Sequence, residues 1–206
     1  MVIVLLLRGS SSDADVQRGL ARRILNTLTG LGPCFIKLGQ ALSTRPDLVR
    51  RDWLEELTRL QDDLPAFPHS IALSRIEQEL GAPADQLFEE FPSAPIAAAS
   101  LGQVYKARLE GQSWVAVKVQ RPNLTFILRR DLVLIRALGV LTAPFLPLNL
   151  GFGLGSIIDE FGRSLFEEID YEQEADNAER FATLFVDNPA VYVPRVERML
   201  SSTRVL

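Results

Sequence analysis

The sequence predicts an α+β fold, with a helical first half, a small antiparallel sheet near the middle, and helices again before the end. Three observations support this. Apolar residues recur at four-residue spacing ahead of Gly30, the pattern changes to two-residue alternation between Ile96 and Gln120, and prolines and glycines stand at the changes. The length of 206 residues suits one generous domain or one and a half small ones.

The elements follow in order. Val16, Leu20, Ile24 and Leu28 form the apolar stripe of a first helix, with Arg18, Arg22 and Arg23 off it, and Gly30, Gly32 and Pro33 end it. A second helix runs from Cys34 to Leu42 and closes at Ser43-Thr44-Arg45-Pro46. Trp53, Leu54, Leu57 and Leu60 make a third stripe, stopped by Asp62-Asp63-Leu64-Pro65. Ser70 is assigned as the N-cap of a helix through Leu80, with Gly81 just past its end. Pro92 and Pro95 then break the helical pattern. IAAASLGQVYKARLEGQSWVAVKVQ reads as strand, small-residue turn, strand, turn at Glu110-Gly111-Gln112, and strand. In the last strand Val115, Val117 and Val119 share one face, so Lys118 lies on the other with Trp114 and Ala116. A helix follows over Leu124 to Leu141, then an apolar stretch from Val140 to Leu154 interrupted by Pro144 and Pro147. Ser156 is assigned as the N-cap of a long helix through Phe185, and two short strands around a Ser201-Ser202 turn close the chain.

Composition excludes several classes. With 47% hydrophobic and 23% charged residues the chain is ordinary globular material, not a disordered, collagen-like or disulfide-framed one. A net charge of −4 argues against nucleic acid as a partner. Cys34 and His69 are the single cysteine and histidine, which excludes an internal disulfide and a structural zinc site and argues against a His-dependent triad. The opening MVIVLLL is far short of the roughly 20 apolar residues of a spanning helix, and it is not a clear signal peptide. His69 reads as a capping or surface residue, and Trp53 and Trp114 as core anchors.

Chemistry concentrates in three segments. Aligned with the phosphate-loop pattern G-x-G-x-x-G-x-V, the chain has Ala97, Ala98, Ala99, Ser100, Leu101, Gly102, Gln103 and Val104, with only the third glycine kept. Lys118, in Val115-Ala116-Val117-Lys118, follows Val104 by 14 positions, enough for a strand, a tight turn and a return. That places its ammonium beside the loop, within reach of phosphate oxygens. An ordinary hairpin with an exposed lysine satisfies V-A-V-K equally well. In EEIDYEQEADNAERF, Glu167, Tyr171, Glu174 and Ala178 share a helical face, although most acids on such a helix are simply solvated. In FIKLGQALSTRPDL, Lys37 and Gln40 share a face, and Gly39 costs a helix about 1 kcal/mol relative to alanine. Either another backbone or a ligand approaches there, or a surface helix tolerates the glycine.

Taken in order, Lys37-Leu38-Gly39-Gln40 with its Ser-Thr-Arg-Pro-Asp-Leu tail, AAASLGQV, Val115-Ala116-Val117-Lys118 and Glu168-Ile169-Asp170 resemble the UbiB/AarF family of atypical protein-kinase-like proteins. The resemblance runs from Val16 to the last residue. It implies a protein-kinase-like N-lobe, an antiparallel sheet plus an αC-type helix, behind an N-terminal helical extension, with the C-lobe absent from this chain. On that layout residues 1–12 are a tail and 13–91 the extension. Residues 92–206 are then the lobe, with a helical insert at 121–155, the αC-type helix at 156–185 and last strands at 191–206. Lys118 is then the nucleotide-binding lysine, Glu174 its ion-pair partner, and Ala97–Val104 the loop over the phosphates, stiffer than its glycine counterpart. Lys37, Gly39 and Gln40 would lie over the active cleft, facing Glu168 and Asp170.

The implied cofactor is ATP with Mg²⁺. No Asp-Phe-Gly or His-Arg-Asp occurs in the sequence, so the metal ligands and catalytic residues are expected in the C-lobe and none in this chain. The family role is an atypical kinase or ATPase supporting prenylquinone (ubiquinone- or plastoquinone-type) or isoprenoid-lipid metabolism. The implied partners are ATP and an isoprenoid-lipid substrate or lipid-biosynthesis protein. The implied location is cytoplasmic or peripheral to a membrane, bacterial or organellar. The alternative is a non-catalytic, pseudokinase-like scaffold contacting lipid or a membrane partner.

Overall fold

Gly32, at φ 109°, separates the first two helices, α1 (Ala14–Leu31) and α2 (Pro33–Ser43), and Pro33 occupies the first turn of the second, where its missing N–H costs nothing. The computed structural model describes residues 14–46, 49, 53, 54, 57, 58, 64–111, 114–142 and 153–206, without the side chains of 14–18 and 142. The tail at 1–12, Leu60, Gln112 and most of the apolar stretch between Val140 and Leu154 lie outside that description. The remaining elements are α3 (His69–Leu80), α4 (Ala84–Leu87), β1 (Ala97–Ala98), β2 (Gly102–Arg108), β3 (Trp114–Gln120), α5 (Leu124–Thr142), α6 (Leu154–Glu168), α7 (Tyr171–Leu184) and a 3₁₀ turn at Arg198–Leu200. The strands form one antiparallel sheet in the order β1-β2-β3.

Two compact units emerge. One comprises residues 1–62 and 125–165, the other 63–124 and 166–206. The resemblance implies a lobe starting at residue 92; the second compact unit begins at residue 63, ahead of α3. The reason is packing: Ala72 and Ile76 of α3 are fully buried in one core with Tyr105, Ala107, Val117, Val119 and Val205. In the first unit Cys34, Phe35 and Ile36 of α2, Trp53, and Leu128 and Ile135 of α5 are buried. Burial, and then the charge of Asp131, push the Cys34 thiol up to about 12, so it stays protonated and unreactive.

Four local readings are corrected. The helix predicted over 156–185 is two, α6 and α7, because Asp170 leaves helical geometry and its Oδ1 accepts the Glu172 N–H at 3.1 Å as an N-cap. Ser156 sits inside α6, and Ser70 inside α3, whose N-cap position is Pro68. Gly81, at φ 78°, does close α3 in the left-handed conformation. Finally, residues 191–206 do not form two strands. Pro194 removes a ladder donor, a 3₁₀ turn intervenes, and only the last three residues lie along the free edge of β3. There Lys118 N–H donates to Leu206 O at 2.7 Å, Leu206 N–H to Lys118 O at 3.0 Å, and Gln120 N–H to Arg204 O at 3.0 Å.

Glu79 of α3 fastens that edge. Its carboxylate accepts from Arg204 Nη1 at 2.8 Å and from Ser202 Oγ at 3.0 Å. Burial works to raise its pKa, but the hydrogen bonds from Arg204 and Ser202 and the charges of Arg204 and Arg75 outweigh it and hold the group below its ordinary value. A depressed carboxylate stabilises the fold above its unfolded pKa, and that contribution is lost as pH falls through the lower folded value. Glu79→Gln is therefore expected to lower stability at neutral pH and to flatten the acid limb below about pH 5. Urea melts from pH 3 to pH 7 check this; an acid limb as steep as that of the unchanged chain contradicts it.

Candidate functional site

Strand alternation decides which side chains of the sheet are available. Val117 and Val119 point into the core of the second unit, so Ala116 and Lys118 of β3 stand on the opposite face, with Val104 of β2 paired to Lys118. Across from them α7 presents Tyr171, Glu174 and Ala178, spaced three and four apart on one face. The Lys118 Nζ donates to Glu174 Oε2 at 2.6 Å and lies 4.6 Å from the centre of the Tyr171 ring. The side chains of this pair are 34% and 44% exposed. At that exposure an ion pair contributes about 0–1 kcal/mol, so its main effect is to aim the ammonium, not to hold the fold.

Tyr171 is fully buried. Burial, and then the carboxylates of Glu174 and Glu168, push its phenol above the usual value, so it remains neutral. Its Oη finds no hydrogen-bond partner among the described residues and occupies the space into which a side chain at Gly102 would project. A Cβ built at Gly102 would lie 2.7 Å from Tyr171 Oη and 2.7 Å from Val119 O. Close packing therefore explains why this position keeps its glycine. The alanines need no such explanation, since among the described residues the only non-glycine with positive φ is Asn123.

The alanine-rich segment is a tight hairpin. Ala99 N–H donates to Gly102 O at 2.8 Å, and Ile96 N–H to Val104 O at 2.8 Å. Ala97 is exposed, Ala98, Ala99 and Val104 are half-buried, and Ser100, Leu101, Gly102 and Gln103 are buried. Gln103 turns inward, accepting the Phe67 N–H at 3.0 Å and donating to Tyr105 Oη.

A cavity of about 600 Å³ opens in the second unit, and Val104, Ala116, Lys118, Glu174, Ala178 and Leu206 are among its lining. That is the size of a small-molecule site. Its lining is mainly apolar, and the Lys118–Glu174 pair, Arg195 and Glu197 supply its charges. Such a site suits an anion attached to a flat apolar group. Trp114, read from sequence as a core anchor, instead lines this cavity at 47% exposure, with Lys106 Nζ 4.7 Å from its ring centre. Among the described residues no three His, Cys, Asp or Glu side chains gather as a metal site.

The structure thus brings Val104, Lys118 and Glu174 together beside the hairpin. Asp170 is committed to capping α7, and Glu168 is exposed at the end of α6. Lys37, Gly39 and Gln40 sit on α2 in the first unit, Gly39 buried and the other two half-buried. Tyr171 was read from sequence on the Glu174 face but not as a site residue. Arg121, which holds the hairpin carbonyls, escaped the reading and carried no signal beyond following a strand.

Comparison with known proteins identifies the family. Residues 59–206 match the family model of the ABC1 atypical kinase-like domain. An uncharacterized protein of Synechocystis is 53% identical over 190 residues, covering 92% of this chain and 34% of its own. The Arabidopsis thaliana protein ACTIVITY OF BC1 COMPLEX KINASE 1, chloroplastic, is 47% identical over 195 residues, covering 94% of this chain and 29% of its own. The chain therefore spans about a third of the length of these relatives. A solved Mycobacterium tuberculosis protein, Rv3197 in complex with erythromycin, superposes with a TM-score of 0.58 at 32% identity, over 93% of this chain and 48% of its own. The sheet and helices of the second unit accordingly form a kinase-like small lobe.

The Gly102–Tyr171 contact makes a direct prediction. Gly102→Ala is expected to lose about 1–3 kcal/mol by overpacking. Tyr171→Phe, which removes a buried unpaired hydroxyl, is expected to be neutral or stabilising by about 1 kcal/mol. The alanine remains costly in the Tyr171→Phe background, because the Val119 carbonyl stays in its way. Denaturant titration of the three variants checks this, and a large loss in Tyr171→Phe alone contradicts it.

Proposed function

This chain belongs to the ABC1 atypical kinase-like family, and from that premise we propose that its small lobe binds ATP, with Lys118 contacting the phosphates and Glu174 aiming it. The observation that carries the reading is the 2.6 Å contact between Lys118 Nζ and Glu174 Oε2 at the wall of a cavity of about 600 Å³. Val104, Ala116 and Leu206 supply apolar surface for the base, and Ala97–Val104 covers the phosphates. Mg²⁺ completes the cofactor; its ligands are assigned to a further lobe of the whole protein, and when bound it neutralises phosphate charge.

The whole protein's role is an atypical kinase or ATPase in prenylquinone or isoprenoid-lipid metabolism, acting on an isoprenoid-lipid substrate or a lipid-biosynthesis protein at a membrane surface. The family resemblance supports that role, and relatives named as chloroplastic or found in Synechocystis support an organellar or bacterial-type setting. No helix among the described residues is long and apolar enough to cross a membrane. The second reading, a non-catalytic scaffold, draws on Ala97 and Ala99: two alanines stand where phosphate loops carry backbone-permissive glycines.

Calorimetric titration with ATP tests the proposal. Lys118→Ala is expected to weaken binding by at least tenfold, with Glu174→Gln weaker than the unchanged protein but better than Lys118→Ala. Equal affinity in Lys118→Ala refutes the assignment. Tight binding with no turnover in the full-length protein favours the scaffold.

A further inference from the structure

Arg121 directly follows β3 and reaches back to the alanine-rich hairpin. Its backbone N–H donates to Leu101 O at 2.9 Å, and its Nε to Ala99 O at 2.8 Å. Its Nη2 donates to Pro65 O at 2.9 Å, and the guanidinium lies 5.6 Å from the centre of the Phe67 ring. The same 65–67 segment is tied a second time, because Gln103 accepts the Phe67 N–H at 3.0 Å and donates to Phe67 O at 3.4 Å. Arg121 and Gln103 therefore bind the turn of the hairpin, its second strand and the strap ahead of α3 into one latch.

We propose that Arg121 is a positioning residue for nucleotide binding, latching the alanine-rich hairpin in a single conformation before the ligand arrives. The inference rests on the ATP reading of the Lys118 cavity. Its physical basis is preorganisation: a hairpin already held by two hydrogen bonds from Arg121, whose third anchors that residue to the Pro65 carbonyl, loses little freedom on binding, so affinity is not spent on ordering it. The fork of arginine matters because Nε and Nη2 satisfy two carbonyls from different segments at once; a lysine ammonium on the same stem cannot span both with the same planar geometry. The latch also makes the hairpin stiff independently of its alanines.

The test compares the intact protein with Arg121→Lys and Arg121→Ala, using hydrogen exchange and ATP titration. Both variants are expected to exchange the amides from Ala99 to Gly102 at least tenfold faster, with Tyr105 and Ala107 unchanged, and to bind ATP about tenfold more weakly through faster dissociation. Unchanged hairpin exchange overturns the latch. Faster exchange with unchanged ATP affinity overturns its role in binding, and wild-type behaviour of Arg121→Lys overturns the requirement for the fork. The unchanged protein, with Lys118→Ala beside it, judges the ATP reading separately. If neither binds ATP, that reading and the affinity effect both fall, while the exchange rates still decide whether Arg121 fixes the hairpin.

Discussion

The second unit is organised around the burial of Tyr171. This side chain opens α7, fills the space between the hairpin and β3, and leaves no room for a Cβ at Gly102. Lys118 sits over its ring, and Glu174, three residues on, meets the ammonium. Moving Tyr171 would separate the hairpin, the lysine and the glutamate, which come from three places in the sequence. The unpaired hydroxyl is an energetic cost that the packing around it offsets. Its position also depends on a helix boundary. Asp170 caps α7 and lets Tyr171 begin a new helix, while the Tyr171 N–H donates to Thr203 O at 3.2 Å and Gln120 Nε2 donates to Ile169 O at 2.7 Å.

From this arrangement the electrostatics of the site follow. A half-exposed ion pair adds little to stability, so Lys118 and Glu174 are better understood as a preset cation than as a strut. The apolar face of β2 and β3 gives that cation a wall, and residues 204–206 close the edge of the wall through hydrogen bonds to β3. Glu79 fastens those residues from the far side of the sequence through Arg204 and Ser202. The edge that borders the cavity is therefore held by a half-buried carboxylate, and the hairpin beside Lys118 by an arginine.

Much of this was legible in the sequence, and the remainder has identifiable physical causes. Two-residue alternation placed Lys118, Ala116 and Trp114 opposite the valines, and the spacing of Tyr171, Glu174 and Ala178 placed them on one face. Gly81 announced its left-handed turn. The break between α6 and α7 was hidden because Glu168-Ile169-Asp170-Tyr171-Glu172 is acidic and helix-compatible throughout, and an N-cap is a matter of one dihedral pair. The membership of α3 in the second unit was hidden because periodicity shows that a face is apolar, not which partner it meets. Arg121 was invisible because its partners are carbonyl oxygens, which every residue possesses.

The most direct measurement is a crystal structure of the intact protein with a non-hydrolysable ATP analogue. Phosphate oxygens are expected within about 3 Å of Lys118 Nζ, with Glu174 still paired to it, the base against Val104 and Ala116, and the Ala99–Gly102 turn unmoved. An analogue bound away from Lys118, or bound only after Tyr171 leaves its place beneath the hairpin, would contradict the assignment of this cavity as a preset nucleotide site.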